Sequence, residues 1–201
     1  MKFLIFSVGF LLLTVVTQAA SIQNLVIVGD SLTEGYGVAR EKAYPALLEE
    51  KLAKKHAGLK ITNSGIGGST SASAPSRAKW VLKSNPDLVV FFLGGNDALR
   101  GIEPAVMKKN LKEAIKIVKE KKVKVLLVEM LAPPNYGKDY TQKFKNVFSE
   151  IKSEEKIDLL KFPLENVAGQ KDLNQKDGIH PNEMGHEKIA EDLAKALEKY
   201  L

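Results

Sequence analysis

Five short apolar runs punctuate the chain: "LVIV" from residue 25, "LKIT" from 59, "LVVFFL" from 88, "VKVLLV" from 123 and "IDLL" from 157. An apolar run of this length, bounded by polar or glycine-bearing segments, is the pattern of a strand covered on both faces. Each gap leaves room for one helix, and the candidates are 44–56, opened by Pro45 in its first turn, then 69–84, 103–121 and 139–155. A last helix over about 182–200 puts Ile189, Leu193, Ala196 and Leu197 on one side. The β-α-β-α alternation predicts a parallel five-stranded sheet with helices on both faces. A solenoid is excluded because the near-regular units share no sequence signature.

This layout turns positions in the chain into places in the fold. Loops beyond the carboxyl ends of parallel strands gather along one rim, where ligands bind. Ser31 follows the first run and "NSGIGGSTS" (63–71) the second. "GGND" (94–97) follows the third, "APPNYG" (132–137) the fourth, and "DGIHPN" (177–182) lies between the fifth run and the last helix. The glycine-rich and polar segments therefore share an edge.

The first residues stand apart. "MKFLIFSVGFLLLTVVTQAAS" has an early lysine, a mostly apolar run and small residues at Thr17 and Ala19. That is the form of a cleavable signal peptide over 1–19, cut after Ala19, and the run is short for a retained membrane anchor. It predicts a periplasmic or secreted protein with no stable membrane insertion, its single domain spanning 20–201. The absence of cysteine excludes a disulfide framework and a lipid-modified cysteine. Net charge is +6, and +5 without Lys2. Much of the excess lies on 103–122, where Lys108, Lys109, Lys112, Lys116 and Lys119 lie off the apolar stripe of Met107, Leu111, Ala114, Ile115 and Val118. That reads as a solvated face, and without interleaved aromatics it does not suggest nucleic acid.

Chemistry then turns on Ser31. A serine hydroxyl needs a base to take its proton and donors for the charge that develops on an attacked carbonyl. Of the three histidines, His56 closes a lysine-bearing helix and is expected to be exposed, while His186 falls inside the last helix. His180 lies in a turn three residues after Asp177, which can hold its Nδ1–H and leave Nε2 facing Ser31. Taken alone, Asp-x-x-His is usually a capped turn. For the charge, the Ser31 amide, an amide from the glycine turn 65–68 and the Asn96 side chain are candidates, although those glycines also suit a tight turn and Asn96 a helix cap.

In order, "GDSL" with Ser31, a glycine within "NSGIGGSTS", "GGND" and "DGIHPN" resemble the four blocks of the SGNH or GDSL hydrolases, over about residues 25–200. "GDSLTEGYG", "YPALLEEKL", "GGNDALRG" and "PPNYG" are most similar to its bacterial periplasmic acyl thioesterases, arylesterases and lysophospholipases. The resemblance implies a three-layer α/β/α, flavodoxin-like fold working without metal or cofactor. It makes Ser31 the nucleophile, His180 the base, Asp177 its orienter, and Gly68 and Asn96 oxyanion donors with the Ser31 amide. Gly68 is chosen because it lies five residues after Asn63, and Gly67 is its neighbour. Ser69 stands where the family often has a polar or acidic residue, and Met130, Leu131 and Ala132 before the proline loop are all apolar.

The expected substrate is a small-molecule or lipid ester or thioester, taken by a monomer. Its acyl chain is expected along Leu99, Ile102, Leu131, Pro133, Phe162 and Leu164, though each alone is more readily a core residue. Four rivals fall short. No phosphate-loop signature or complete G-x-G-x-x-G occurs, the G-x-S-x-G elbow is absent, and His180, His186 and Asp177 match no metal-ligand spacing. A non-catalytic protein of the same fold would not need all five polar positions. A carbohydrate O-acetyl esterase would use the same set on an acetylated sugar and stands as the alternative.

Overall fold

A computed structural model describes residues 21–201. The proposed leader lies outside the described residues. The chain runs β1 (Asn24–Gly29), α1 (Ser31–Glu34), α2 (Tyr44–Ala53), β2 (Lys60–Gly65), α3 (Ala74–Val81), β3 (Leu88–Phe92), α4 (Gly95–Leu99), α5 (Pro104–Glu120), β4 (Lys124–Val128), α6 (Lys138–Glu155), β5 (Asp158–Leu160) and α7 (Glu183–Leu197). The five strands form one parallel sheet in the order β2-β1-β3-β4-β5. Leu25 of β1 lies level with Ile61 of β2 and Leu88 of β3.

Apolar content explains the middle of the sheet. Every residue of β3 is buried, as are the last five of β1 and the last four of β4. Helices cover both faces, α2 packing on α7 and α3 on α5, which in turn packs on α6. The apolar stripe of α5 is wholly buried, as its spacing predicts. Its lysines, however, are not simply a solvated face. Lys108 pairs with Glu150 and Glu154 of α6 at 2.7 Å, and Lys112 with Glu154 at 2.6 Å. The carboxylate of Glu155, buried at the end of α6, lies 3.5 Å from Lys112, 3.8 Å from Lys119 and 3.9 Å from Lys116.

Several boundaries differ from the sequence reading, among them the end of α2, which stops at Ala53 rather than 56. β2 runs on to Gly65, because this edge strand pairs parallel to β1 as far as Gly29 and its polar residues are only half covered. The helix expected from 69 begins at Ala74 after a 3-10 turn at Ser71–Ser73, since Pro75 suits only a first turn. The last helix gives way at Leu197 to a 3-10 turn. His56 also departs from expectation: its side chain is only 24% exposed, with Nε2 3.5 Å from the Glu198 carboxylate.

The topology fixes where a ligand can sit. The connection leaving β1 runs to β2 on one side and the connection leaving β3 runs to β4 on the other, so the crevice lies beyond the carboxyl ends of β1 and β3. Ser31 leaves β1 there, and Asn96 leaves β3.

Candidate active site

The short helix α1 is built to present its first residue. Asp30 caps it, accepting the Leu32 N–H at 3.0 Å, and Gly35 closes it with φ 87°. Ser31, first in the helix, is left half-exposed. Its amide, like the amide of Gly68, has no protein acceptor among the described residues.

On the other side of the mouth, the turn before α7 brings up the histidine. Asp177 Oδ1 accepts the backbone N–H groups of Ile179 at 2.9 Å and His180 at 3.0 Å, which folds the turn around the carboxylate. Its Oδ2 lies 2.7 Å from His180 Nδ1, and His180 Nε2 lies 3.0 Å from Ser31 Oγ. The three residues thus form one line of hydrogen bonds. With the His180 proton on Nδ1, Nε2 is a free acceptor for the serine hydroxyl. The backbone N–H of His180, then its ring, then the Ile179 N–H push the Asp177 carboxyl down to about 2. It is therefore charged wherever a neutral imidazole can work.

Asn96 and Gly68 arrive from neighbouring strands. Asn96 sits in the first turn of α4, its Nδ2 3.4 Å from Asp30 Oδ2, on the edge of hydrogen-bond range. Gly68 has φ +72°, which disfavours side chains, and its carbonyl accepts Arg100 Nη2 at 2.9 Å. Gly67 also lacks an amide acceptor among the described residues, but a Cβ on it would meet Glu34 Oε2 at 2.7 Å.

Buried groups that the sequence reading did not single out brace these loops. Asp97, next to Asn96, accepts the Ser71 N–H at 2.8 Å and its hydroxyl at 2.5 Å, and Asn110 donates to that same hydroxyl at 3.1 Å. This ties the loop beyond β2 to the one beyond β3. Arg77 of α3 donates to the Gly29 carbonyl at 2.8 Å and to the Ser64 carbonyl, holding together the ends of β1 and β2. Asp30 is itself buried, and desolvation raises its carboxyl to about 6 against the opposing pull of the Leu32 N–H and the Asn96 amide. The acid inside "GDSL" and the one inside "GGND" were signals open to sequence; nothing local marked Arg77.

The apolar residues expected along the substrate divide into two groups. Leu99 and Leu131 are 43% and 40% exposed, and Ile102 and Pro133 are half-buried. The Tyr136 hydroxyl donates to the Leu99 carbonyl at 2.6 Å and that of Tyr140 to the Ile102 carbonyl at 2.8 Å, joining the loops beyond β3 and β4. The other two differ from expectation. Leu164 is 4% exposed and belongs to the core, while Phe162 is packed against that core and lines a hollow with Leu193 and Ala196 of α7. Apolar character alone does not separate these cases.

Residues 27–188 match the model of the GDSL-like lipase/acylhydrolase family. The chain is 37% identical over 194 residues to "Esterase TesA" of Pseudomonas aeruginosa, covering 96% of each. It is 36% identical over 191 residues to "Thioesterase 1/protease 1/lysophospholipase L1" of Escherichia coli, covering 94% of this chain and 90% of that one. Among solved structures, one described as the crystal structure of TesA superposes with a TM-score of 0.85 at 36% identity, covering 89% of this chain and all of that one. With the family model spanning most of its length and such relatives matched nearly end to end, the chain belongs to the GDSL-like lipase/acylhydrolase family.

Proposed function

We propose that this protein is a serine esterase that cleaves acyl esters and thioesters through an acyl-enzyme on Ser31. The observation that carries this reading is the unbroken line Ser31 Oγ, His180 and Asp177, with steps of 3.0 and 2.7 Å. Ser31 Oγ attacks the acyl carbon as its proton passes to His180 Nε2. The negative carbonyl oxygen is met by the amides of Ser31 and Gly68 and by Asn96 Nδ2. When the intermediate collapses, the alcohol or thiol leaves with the proton from His180. Water then attacks the acyl-serine, giving its proton to His180, and the acid departs as Ser31 is reprotonated. Asp177 stabilises the imidazolium in both halves.

Residues 20–201 act as one hydrolase domain, exported after cleavage behind Ala19. The leader-like first residues support this, and among the described residues no helix is long and apolar enough to cross a membrane. Intact-mass measurement of protein recovered outside the cytoplasm tests the cleavage site. For the chemistry, a fluorophosphonate is expected to add once, on Ser31, and Ser31→Ala to abolish ester hydrolysis. An adduct elsewhere, or full activity in that variant, overturns the reading. A panel of p-nitrophenyl esters from acetate to palmitate, run beside acyl-CoA, lysophospholipid and acetylated xylan, tests the substrate class. Medium chains are expected to lead, and best turnover of acetylated xylan replaces this class with a carbohydrate deacetylase.

A further inference from the structure

Ser31 and His180 are joined by a second, longer bracket behind the catalytic hydrogen bond. The Ser31 carbonyl accepts the Tyr36 N–H at 3.1 Å. The Tyr36 carbonyl accepts Nε2 of Gln175 at 2.7 Å, and the same Nε2 donates to the Pro181 carbonyl at 2.9 Å. The Gln175 N–H in turn donates to the His180 carbonyl at 2.8 Å, while its own carbonyl accepts the Gly178 N–H at 2.9 Å. One residue therefore grips the segment leaving the nucleophile's helix and both ends of the turn that carries Asp177 and His180.

The fit around this carboxamide is close. Gly37 has φ +77°, and a Cβ built on it would stand 2.2 Å from Gln175 Oε1 and 2.7 Å from Nε2. A side chain at position 37 would displace this carboxamide and would itself sit in a backbone conformation that side chains rarely adopt. The grip also places an aromatic ring. Tyr36 is 54% exposed, too open for burial to fix it, yet its ring centroid lies 4.6 Å from that of His180 at a tilt of 42°.

Resting on the serine-esterase reading, we infer that Gln175 is a positioning residue, whose side chain sets the separation and orientation of His180 relative to Ser31 by clamping Tyr36 to the histidine turn. A methionine in its place keeps the length and loses both donated bonds. Small displacements of reacting groups are costly when no other contact restores their alignment.

The test compares the parent with Gln175→Met and Gly37→Ala, using a p-nitrophenyl ester and a fluorophosphonate, with rates normalised to folded protein by circular dichroism. Both variants are expected to lose about 10- to 100-fold in kcat with KM within about twofold, and to slow Ser31 phosphonylation in parallel. The double variant is expected to lose no more than the worse single one, because both changes break the same clamp. A residue that only stabilises the fold would lower the thermal midpoint and leave normalised kcat unchanged. That result, or multiplying losses in the double variant, overturns the inference. If Gln175→Met does not fold, Gly37→Ala alone decides on its normalised kcat and labelling rate. Failure of the parent to be labelled on Ser31 would instead overturn the esterase reading.

Discussion

Asp30 Oδ2 lies 3.4 Å from Asn96 Nδ2, so the buried acid that caps the helix of Ser31 also faces the amide proposed as an oxyanion donor. The contact is long, so it orients the amide without holding it strongly. Asn96→Ala is expected to lower kcat by about 10² to 10³ with KM nearly constant, because the donated bond matters most once the oxygen is charged. Steady-state kinetics on a p-nitrophenyl ester check this. A change confined to KM would make Asn96 a ground-state binding residue.

Two buried groups give opposite pH dependence to stability. Asp30 is raised to about 6, so between roughly pH 4 and 6 the native state keeps a proton that the unfolded chain has lost, and its contribution falls as pH rises. Burial depresses His186 to about 4, with further lowering from the charge of His180. There the unfolded chain binds the proton first, so stability rises with pH from about 4 to 6.5. Each effect is on the order of 3 kcal/mol over its window. Relative to the parent, Asp30→Asn is expected to gain stability as pH rises from 4 to 6, and His186→Gln to lose it. Thermal melts across that range decide, and parallel curves for all three proteins would refute both assignments.

Asp177→Asn keeps an oxygen for the Ile179 and His180 amides but removes the charge that favours the imidazolium. A loss of about 10² to 10⁴ in kcat is expected, with phosphonylation of Ser31 slowed alike. Labelling at the parent rate would show that His180 needs no ionic partner.

Leu99 and Leu131 are exposed, whereas Leu164 is buried. Leu99→Ser and Leu131→Ser are each expected to lower kcat/KM for octanoyl esters several-fold relative to acetyl esters, at roughly 0.8 kcal/mol per methylene no longer covered. Leu164→Ala is expected to cost about 2–5 kcal/mol of stability and leave that ratio alone. A Leu164 variant that shifts chain-length preference would return that residue to the substrate path.

What could be read in advance followed how local each signal was. The five strands were legible because apolar runs on both faces of a parallel sheet need no partner to be recognised, and the placing of Ser31, Asn96, Asp177 and His180 followed from the rim that those strands define. The reach of β2 through Asn63 and Ser64 was not, since those polar residues extend the strand only because β1 offers them a register. Arg77 was hidden for the same reason, its meaning lying in two carbonyls on other elements. Leu164 and Leu131 carry the same side chain, and only the packing separates core from mouth.

The two residues that share the 3.0 Å bond stand 149 positions apart, near opposite ends of the chain. Translation delivers the serine early and its base almost last. Until α7 seats itself on α2 and brings the histidine turn to the mouth, a growing polypeptide carries a hydroxyl with nothing to deprotonate it. On the proposed mechanism, hydrolysis therefore waits until α7 has packed on α2, and activity doubles as a gauge of that packing.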